Sequence, residues 1–435
     1  MPQMSPCAQT LWSATTVPTI ERDPLRGAIR AEVVVVGAGY TGLSTALHLS
    51  EAGRAVVVLD SHRVGDCASG RNGGQVIPGL KYDPDDLEQM FGASLGAKLV
   101  ATVAGGPDLV FDLIRRHGID CQPIRNGWLQ LATSEATLRP LMKRVAQWRD
   151  RGAAVDLIDS AETARLTGSQ RYCGGLLDRR GGTVHPLKYV QGLATAVERA
   201  GARLFTHSAA VRLARAGGEW QVSTPNGSVT SPQVVLATNA YSDEFVGALR
   251  RTFVTVPSLQ VATAPLSPEL LRGILPERQS VSDTWRLLRY FRLDGTGRLV
   301  MGSRGTFGRT SPIDAAQPQY RAVREIYPQL AGVPFDYHWS GWVAVTPDHL
   351  PHLHEVAPGV VAGLGYNGRG VAMATTMGAL LAKQVLGEPA TELGFPVTPI
   401  RPMMLHPLSR WGAAAAIQYL RLLDAFARAA STRSS

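Results

Sequence analysis

Residues 33–60 decide the fold, and their sequence is VVVVGAGYTGLSTALHLSEAGRAVVVLD. Four valines come first, a glycine-rich turn occupies positions 37–42, and an alanine- and leucine-rich stretch then runs to Gly53. A second apolar run over 55–59 leads to Asp60. This order predicts a strand, a tight turn, a helix and a second, parallel strand that ends in an acid.

Each glycine of the turn has a physical role. Gly37 permits the tight turn, Gly39 allows the backbone to approach a pyrophosphate, and Gly42 lets the helix pack closely on the strand. The free N–H groups and the dipole of the helix attract an anion, and Asp60 can accept hydrogen bonds from ribose hydroxyls. The unit predicts a site for the ADP part of FAD or NAD, although an ordinary βαβ turn without a ligand is the alternative. The neighbours assigned to the same site are Tyr40, Thr41 and Ser61.

Composition restricts the class of protein. The chain has 435 residues, of which 45% are hydrophobic and 18% charged, as in a globular enzyme of two or three domains. Its net charge of +9 comes mostly from scattered arginines, so we expect an affinity for acidic substrates or cofactor phosphates and no nucleic-acid partner. The chain shows neither a signal-peptide pattern nor about eighteen consecutive apolar residues, so we expect a cytoplasmic protein.

Cysteine spacing and the histidine cluster argue against a metal. Cys7, Cys67, Cys121 and Cys173 lie far apart without a Cys-x-x-Cys pair, which argues against structural zinc or a redox dithiol and fits a reducing compartment. The three histidines of the segment 349–354 flank Pro351, which prevents a regular helical spacing of ligands. No metal site is predicted. These histidines are His349, His352 and His354.

The order of elements predicts two interleaved domains. A Rossmann-like nucleotide domain, with mainly parallel strands, is expected over 28–88, 176–247 and 340–400. An α+β domain built on a mostly antiparallel sheet is expected over 89–175 and 248–339, and a helical tail over 401–435. We expect the binding pocket to lie between the two domains. In addition, residues 1–30 should form an extended arm, 61–80 a loop and 95–117 a helix.

Two further glycine-rich segments carry a resemblance to a known family. They are residues 69–75 (SGRNGGQ) and 363–370 (GLGYNGRG). With the first turn, and in this order, they resemble the D-amino-acid oxidase superfamily of FAD enzymes, and within it the gamma-glutamylputrescine oxidoreductase and glycine oxidase branch. The likeness runs from about residue 30 to about 425, and it implies an FAD-dependent amine oxidoreductase.

The resemblance also implies how FAD is held. Loop 69–75 should border the isoalloxazine, and donors from loop 367–370 should stabilise negative charge on the reduced ring. Arg369 either adds a positive charge there or faces solvent, and the backbone of Val211 should contact adenine. The residues assigned to the cofactor by resemblance are Ser69, Gly70, Arg71, Asn72, Gly73, Gly74, Gln75, Val211, Thr238, Asn239, Ala240, Gly365, Tyr366, Asn367, Gly368, Arg369 and Gly370.

Substrate and catalytic residues are less defined, and no catalytic base is assigned. His185 marks a corner that joins the two domains in the family, although a single histidine is more often structural. Aromatic and arginine residues of the strand-rich region could line the substrate pocket, although aromatics in strands are usually core. The candidates are His185, Trp285, Arg286, Tyr290 and Arg304, with Trp339 and Trp342 near the flavin.

Two departures from a relative, monomeric sarcosine oxidase, affect the chemistry. That enzyme tethers FAD to a cysteine near the segment that resembles 340–343, whereas this chain has no cysteine after Cys173, so FAD should be noncovalent. It also uses a lysine for oxygen activation, whereas no lysine lies between Lys188 and Lys383 here. Oxygen is the expected acceptor, with a quinone as the alternative.

The resemblance therefore predicts oxidation of an amine or amino-acid C–N bond by hydride transfer to the flavin, followed by imine hydrolysis. An ω-amine such as gamma-glutamylputrescine is the preferred substrate, and an amino acid or aminophosphonate is the alternative. A noncatalytic flavin-binding protein, or a dehydrogenase that feeds a membrane quinone, stays open. Residues 411–430 could form an amphipathic helix that rests on anionic lipid, or could pack on their own domain.

Overall fold

The structure is a computed structural model that describes residues 9–18, 20–242, 244–305 and 312–431. The strands are β1 (Gly27–Arg30), β2 (Val33–Val36), β3 (Val56–Leu59), β4 (Gln75–Val76), β5 (Trp128–Ala132), β6 (Val155–Asp159), β7 (Gly174–Asp178), β8 (Gly182–Thr183), β9 (Arg203–Phe205), β10 (Arg212–Ala216), β11 (Glu219–Ser223), β12 (Gly227–Ser231), β13 (Gln233–Leu236), β14 (Val254–Thr263), β15 (Ser280–Asp283), β16 (Tyr290–Leu293), β17 (Leu299–Arg304), β18 (Phe335–Val345), β19 (His352–Ala357), β20 (Val360–Leu364) and β21 (Val397–Thr398).

The α-helices are α1 (Leu11–Ala14), α2 (Tyr40–Glu51), α3 (Ala68–Arg71), α4 (Pro84–Phe91), α5 (Ala93–Ala104), α6 (Gly106–His117), α7 (Glu135–Asp150), α8 (Ser160–Thr167), α9 (Pro186–Arg199), α10 (Gly247–Arg250), α11 (Pro268–Gly273), α12 (Pro312–Ile326), α13 (Gly370–Val385) and α14 (Ser409–Ser431). Short 3-10 turns occur at Asn239–Tyr241, Glu244–Val246, Pro328–Leu330 and His406–Leu408.

Seven strands form a central sheet in the order β21-β19-β20-β13-β2-β3-β9. The strands β20, β13, β2, β3 and β9 run parallel to one another, and β19 pairs antiparallel to β20. Every residue of β2 and β3 is buried. Val33 and Val35 face one core cluster and Val34 and Val36 another, because successive side chains of a strand point to opposite faces. Both faces of the sheet are therefore covered, which explains the unbroken apolar runs.

Helices α2 and α13 pack against each other on one side of this sheet. The contact is close because Gly378 carries no side chain: a Cβ there would lie 2.5 Å from both the Cβ of Ser44 and the carbonyl oxygen of Thr41. Both helices begin at glycine-rich loops, after Gly39 in α2 and at Gly370 in α13. Their N-terminal ends are thereby brought to the same region of the molecule.

Eight strands form a second sheet in the order β18-β14-β17-β16-β15-β5-β7-β6. Its neighbouring strands pair antiparallel, apart from the parallel pair β15–β5. The helix α12 packs against β14, β17 and β18, and this side of the sheet has its own apolar core around Phe291 and Tyr327. The predicted fold class, a Rossmann-like domain interleaved with an α+β domain on a mostly antiparallel sheet, is confirmed.

Two smaller sheets, β1-β12-β11-β10 and β4-β8, complete the fold. The expected domain limits at 176 and 340 fall within β7 and β18, and both strands pair inside the eight-stranded sheet. The limits themselves stay a prediction. The segment 61–80, which was expected to be a loop, also contains the short helix α3 and the two-residue strand β4.

The N-terminal arm differs from the expectation of an extended segment. Residues 11–14 form the helical turn α1, and the side chains of Leu11 and Trp12 are fully buried. A capping box formed by Thr10 and Ser13 stabilises this turn. The sequence pattern lacked this element because four residues are too few to show a helical period.

The segment expected as one helix over 95–117 consists of two helices, α5 and α6, which meet at Gly105. Pro107, near the start of α6, explains the break, since proline fits the first turn of a helix and not its interior. The C-terminal helix α14 packs against β14, with Ile417 and Asp424 buried. Residues 432–435 of the expected tail lie outside the described residues. Across the described ranges, no helix is long and apolar enough to cross a membrane.

Candidate functional site

A cavity of about 360 Å³ lies between the two large sheets. One end is bounded by the turn after β2 and by Asp60, Ala209 and Ala210, and the other end by Tyr290, Ser303 and Arg304 of the eight-stranded sheet. The loops 69–75 and 366–370 form walls between these ends. The cavity therefore joins the glycine turn of the parallel sheet to the antiparallel sheet.

The glycine turn has the tight geometry that its sequence predicts. Gly37 has a φ of +108°, and a Cβ there would lie 2.8 Å from the carbonyl oxygen of Ala237. A Cβ on Gly42 would lie 1.8 Å from the carbonyl oxygen of Gly37, so only glycine allows α2 to approach β2 this closely. Gly42 thus packs against the turn without lining the cavity, whereas Gly37 and Gly39 line it.

Asp60 lines the cavity and also fixes the turn. Its carboxylate accepts hydrogen bonds from the backbone N–H of Ala38, at 2.6 Å, and of His62, at 2.8 Å. Burial raises the pKa of this carboxyl, although these two hydrogen bonds oppose the shift. Asp60 therefore connects the end of β3 to the glycine turn, and each of its oxygens can accept a further hydrogen bond.

The loop 69–75 is held by its own side chains. The Asn72 amide donates to the carbonyl oxygens of Ala68 and Ser69, and its oxygen accepts the N–H of Gly74 at 2.8 Å. Gly70 and Gly74 are packed too tightly for a side chain: a Cβ would lie 2.1 Å from a backbone oxygen in each case. These two glycines and Asn72 thus shape the loop.

Four residues of this loop line the cavity together with Asn72: Ser69, Arg71, Gly73 and Gln75. Arg71 donates from Nε to the carbonyl oxygen of Ser340 at 2.8 Å, and burial lowers the pKa of its guanidinium. The side-chain nitrogen of Gln75 donates to Val281 O at 3.0 Å, so the loop is fastened to the eight-stranded sheet.

Two residues that support this loop were missed by the sequence analysis, Trp12 and Arg292. The Trp12 indole N–H donates to the carbonyl oxygen of Asn72 at 2.9 Å. Arg292 donates to the carbonyl oxygens of Gly73, at 2.7 Å, and of Val184, at 2.8 Å, and lies over the Trp12 ring. Burial lowers the pKa of Arg292 to about 10. A strand arginine and a terminal tryptophan have no local pattern that indicates such contacts.

The loop 363–370 meets the glycine turn across the cavity. The hydroxyls of Thr41 and Tyr366 lie 2.5 Å apart, and the Asn239 side-chain oxygen accepts the N–H of Gly365 at 3.0 Å. The Asn367 side-chain oxygen accepts the N–H of Thr346 at 3.0 Å. The predicted residues from this region that line the cavity are Tyr40, Thr41, Ser61, Thr238, Asn239, Tyr366, Asn367, Gly368 and Gly370.

The structure places several predicted cofactor residues away from the cavity. Arg369 is half-buried and does not reach the cavity: its guanidinium donates to the carbonyl oxygen of Pro78 and lies over the Trp128 ring, and burial lowers its pKa to about 9. Val211 is 57% exposed, and its N–H donates to Ser223 O at 2.8 Å, whereas Ala209 and Ala210 line the cavity in its place. Ala240 and Gly365 are buried behind the wall.

His185 has a structural position. Its Nδ1 accepts the N–H of Lys188 and thereby caps α9, and its Nε2 lies 3.1 Å from the Thr15 hydroxyl. Burial, with the positive charges of Arg292 and Lys188, lowers its pKa to about 3. Since His185 does not line the cavity, the structure does not bring this catalytic candidate to the reaction site.

Three of the remaining candidates reach the cavity: Arg286, Tyr290 and Arg304. Arg286 pairs with Asp424 of α14 at 3.3 Å, and the Tyr290 hydroxyl lies 2.9 Å from Ser258 Oγ. Trp342 also lines the cavity. In contrast, Trp285 lies outside the lining, and Trp339 sits behind it, where its indole donates to Arg71 O at 2.9 Å.

The described cysteines and histidines form no metal centre. Cys67, Cys121 and Cys173 are free thiols, and Cys7 lies outside the described residues. In the described part of the chain, no group of three or more His, Cys, Asp or Glu side chains could hold a metal ion. The rings of His352 and His354 contact each other edge to face, and His352 pairs with Asp348 at 2.9 Å.

Two observations indicate that the cavity fits FAD. The glycine turn offers backbone to a diphosphate at the start of α2, where the helix dipole favours negative charge. At the opposite end, Gln260 is 2% exposed and its Oε1 has no hydrogen-bond partner among the described residues. Because an unpaired buried acceptor is costly, it calls for an N–H donor such as that of a flavin ring or of an amine.

Comparisons with known proteins agree with this reading. A family model described as DAO, FAD dependent oxidoreductase, matches residues 32–384. Gamma-glutamylputrescine oxidoreductase of Escherichia coli is 34% identical over 368 residues, which cover 84% of this chain and 86% of that protein. The probable oxidoreductase OrdL of Haemophilus influenzae is 33% identical over 371 residues, which cover 84% of this chain and 85% of that protein.

A solved structure shares the fold. The crystal structure of glycine oxidase from Geobacillus kaustophilus superposes with a TM-score of 0.69 at 21% identity, covering 83% of this chain and 96% of that one. The cofactor of this chain is FAD. The protein acts as an oxidoreductase on amines or amino acids. The chain therefore belongs to the DAO family of FAD-dependent oxidoreductases.

Proposed function

We propose that the protein oxidises the C–N bond of a small ω-amine similar to gamma-glutamylputrescine. Noncovalently bound FAD would accept a hydride from the carbon next to nitrogen and pass the electrons to oxygen, while the substrate imine hydrolyses to an aldehyde and an amine or ammonia. The observation that carries the proposal is the continuous cavity from the glycine turn to Gln260 and Tyr290. The substrate class follows the 34% identical relative, whose name specifies this amine.

The residues of the chain contribute binding, orientation and exclusion of water. Gly37, Gly39 and Asp60 would hold the nucleotide end, and Gly73 and Gln75 would lie against the ring. The N-terminal end of α13, which begins at Gly370, would direct the positive end of its dipole towards the negative charge that develops on the reduced ring. These groups are fixed before the reaction by the hydrogen bonds described above, so they need no reorganisation during it.

Anaerobic reduction tests the proposal. The purified protein with FAD should be yellow, and gamma-glutamylputrescine should bleach it without oxygen, whereas glycine and the D-amino acids should do so more slowly by at least tenfold. Admission of oxygen should then restore the colour and release hydrogen peroxide. A protein that binds no FAD, or whose bound flavin no amine bleaches, contradicts the proposal.

A second candidate is a dehydrogenase that passes electrons to a membrane quinone, and a specific surface favours it. Four large apolar side chains before and at the start of α14 are exposed by between 59% and 96% of their surface, and exposed Arg401 lies beside them. These are Met404, Leu405, Leu408 and Trp411. Apolar side chains next to a basic group suit an anionic lipid surface.

Vesicle co-sedimentation separates the two candidates. Under the second one, vesicles with anionic lipid should retain the protein, and serine at all four apolar positions should abolish retention. A double variant at Met142 and Leu157, which are 48% and 40% exposed elsewhere on the surface, is the matched control. Rapid reoxidation by oxygen together with no vesicle retention contradicts the second candidate.

A further inference from the structure

Arg304 is an unpaired cation at the antiparallel end of the cavity. It is half-buried at the end of β17 and lines the cavity. Its guanidinium forms no hydrogen bond or ion pair with any of the described residues, and burial lowers its pKa. The neighbouring segment 306–311 contains neither Asp nor Glu. Because a partly desolvated charge without a partner is costly, this position calls for an anion from outside the chain.

Other charged groups lie near Arg304 and affect its need for an anion. The positive charge of Arg304 contributes to a lowered pKa of Lys81, after burial, and both cations contribute, again after burial, to a lowered pKa of His349. The negative charge of Asp348 opposes this effect at His349, while its carboxylate lies 2.9 Å from the ring of His352. A second positive charge, that of Lys81, therefore lies near Arg304, although Lys81 itself does not line the cavity.

The second arginine of the lining differs from Arg304. Arg286 is paired with the buried carboxylate of Asp424 at 3.3 Å, so its charge is balanced within the chain. Arg71, on the opposite wall, donates to the carbonyl oxygen of Ser340 and belongs to the loop that supports the cofactor. Of these three cavity-lining arginines, Arg304 is the one whose position and lack of a partner suit a substrate anion.

The strand register gives the distance between this cation and the redox end of the cavity. In β17, Gly302 pairs with Gln260 and Arg304 pairs with Ser258. Gly302 packs against the Tyr290 ring, and that ring in turn contacts Gly73 of the loop expected to border the flavin. Positions two residues apart along a strand are separated by about 7 Å and face the same side of the sheet.

We propose that the substrate amine carries a carboxylate several bonds away from the oxidised carbon, and that Arg304, reinforced by Lys81, binds this carboxylate. The inference rests on the proposed function and narrows its substrate class. In an α-amino acid the carboxylate is bonded directly to the oxidised carbon. With that carbon beside Gly302, the carboxylate would be too close to it to reach Arg304, two residues further along β17. A plain alkylamine leaves Arg304 unpaired.

Three matched compounds test the proposal on the FAD-loaded protein. They share a five-carbon chain: 5-aminopentanoate has a remote carboxylate, 2-aminopentanoate an adjacent one, and pentylamine none. Dissociation constants come from calorimetry, and rates of anaerobic flavin bleaching are recorded in parallel. We expect 5-aminopentanoate to bind about 10- to 100-fold more tightly than either other compound, as for a charge-assisted, bidentate contact.

Variants assign the effect to Arg304. Arg304→Met should reduce the ratio of pentylamine to 5-aminopentanoate dissociation constants to about one, and Arg304→Lys should recover part of it. Lys81→Met should reduce the ratio less, since Lys81 is exposed. Arg272→Met, which removes an exposed arginine of α11, is the matched control and should keep the full ratio.

The outcomes separate this inference from the proposed function. No advantage for 5-aminopentanoate in binding, including failure of all three compounds to bind, overturns the carboxylate site, as does an advantage that survives in Arg304→Met. If amines with and without a carboxylate bleach the flavin equally well, the result supports amine oxidation and contradicts the carboxylate site at Arg304. Conversely, a carboxylate advantage in calorimetry without bleaching by any amine supports the site and contradicts the function.

Discussion

The indole nitrogen of Trp12 and the carbonyl oxygen of Asn72, sixty positions apart in the chain, are joined by a hydrogen bond of 2.9 Å. Trp12 is fully buried and contacts the rings of His185 and Trp339 edge to face. The short N-terminal helix thus supports the loop 69–75 from the side opposite the cavity. This relationship connects the N-terminal arm to a loop that lines the cavity.

Trp12→Phe should destabilise the protein and weaken FAD binding, because it leaves Asn72 O without its donor. The expected loss is about 1 kcal/mol in free energy of unfolding, and Trp12→Ala should cost about 3–5 kcal/mol. Denaturant unfolding and FAD titration of the apoprotein measure both effects. Trp411→Phe, at a site that is 77% exposed, is the control. Equal behaviour of the two Phe variants would show that the arm does not support the loop.

Gly42→Ala should strongly impair FAD binding. The new methyl group would lie 1.8 Å from Gly37 O, so either α2 or the glycine turn has to move. We expect at least a tenfold increase in the FAD dissociation constant together with a lower melting temperature. Gly412→Ala in α14, where nothing lies within 4 Å of the added carbon, should be neutral or slightly stabilising. Unchanged FAD affinity in Gly42→Ala contradicts the geometry of the turn.

His185 should make the protein less stable in acid. Its pKa is about 3 in the folded protein, from a usual value of 6.5. Between these values the unfolded chain binds a proton that the folded protein does not, so stability falls as the pH falls below 6.5. His185→Asn keeps a helix-capping side chain. Relative to this variant, the wild type should lose about 2 kcal/mol more between pH 7 and pH 4.5. Parallel pH profiles of unfolding would refute the assignment.

Asp424→Asn should loosen the segment that carries Arg286 at the rim of the cavity. The buried carboxylate accepts the backbone N–H of Leu287 at 3.1 Å and pairs with the Arg286 side chain. We expect faster hydrogen exchange of the amides of residues 286 and 287, and a higher KM with a smaller change in kcat. Asp150→Asn, at an exposed position that ends α7, is the control. Exchange that stays at the wild-type rate in Asp424→Asn contradicts this coupling.

The fold was predictable from the sequence because its decisive signals are local. The run 33–60 combines strand, turn and helix patterns in one stretch, and the structure confirms these elements as β2, α2 and β3. The mostly antiparallel sheet was likewise expected from the order of strand-like segments along the chain. The helical turn at Trp12 and the break at Gly105 were missed or misplaced, because one is too short for a period and the other interrupts a continuous apolar pattern.

Site residues were predictable only as far as backbone position determines them. The glycine-rich loops line the cavity, but the direction of each side chain depends on its distant neighbours. Arg369 belongs to a cavity-lining loop, but its side chain donates to Pro78 O. Ala209 and Ala210 line the cavity, whereas Val211 does not. The support from Arg292 depends on contacts with Gly73 and Val184, which lie more than a hundred residues away in sequence. No local pattern encodes such pairings.

The position of β13 between β2 and β20 has a consequence for biosynthesis. β2 leaves the ribosome more than three hundred residues before β20 and α13, which span residues 360–385. Until then the nascent chain has an open sheet edge at β13 and lacks the loop that faces Thr41. We therefore expect cofactor loading to wait until β20 and α13 have been translated, and truncation before residue 360 should leave a colourless, aggregation-prone product.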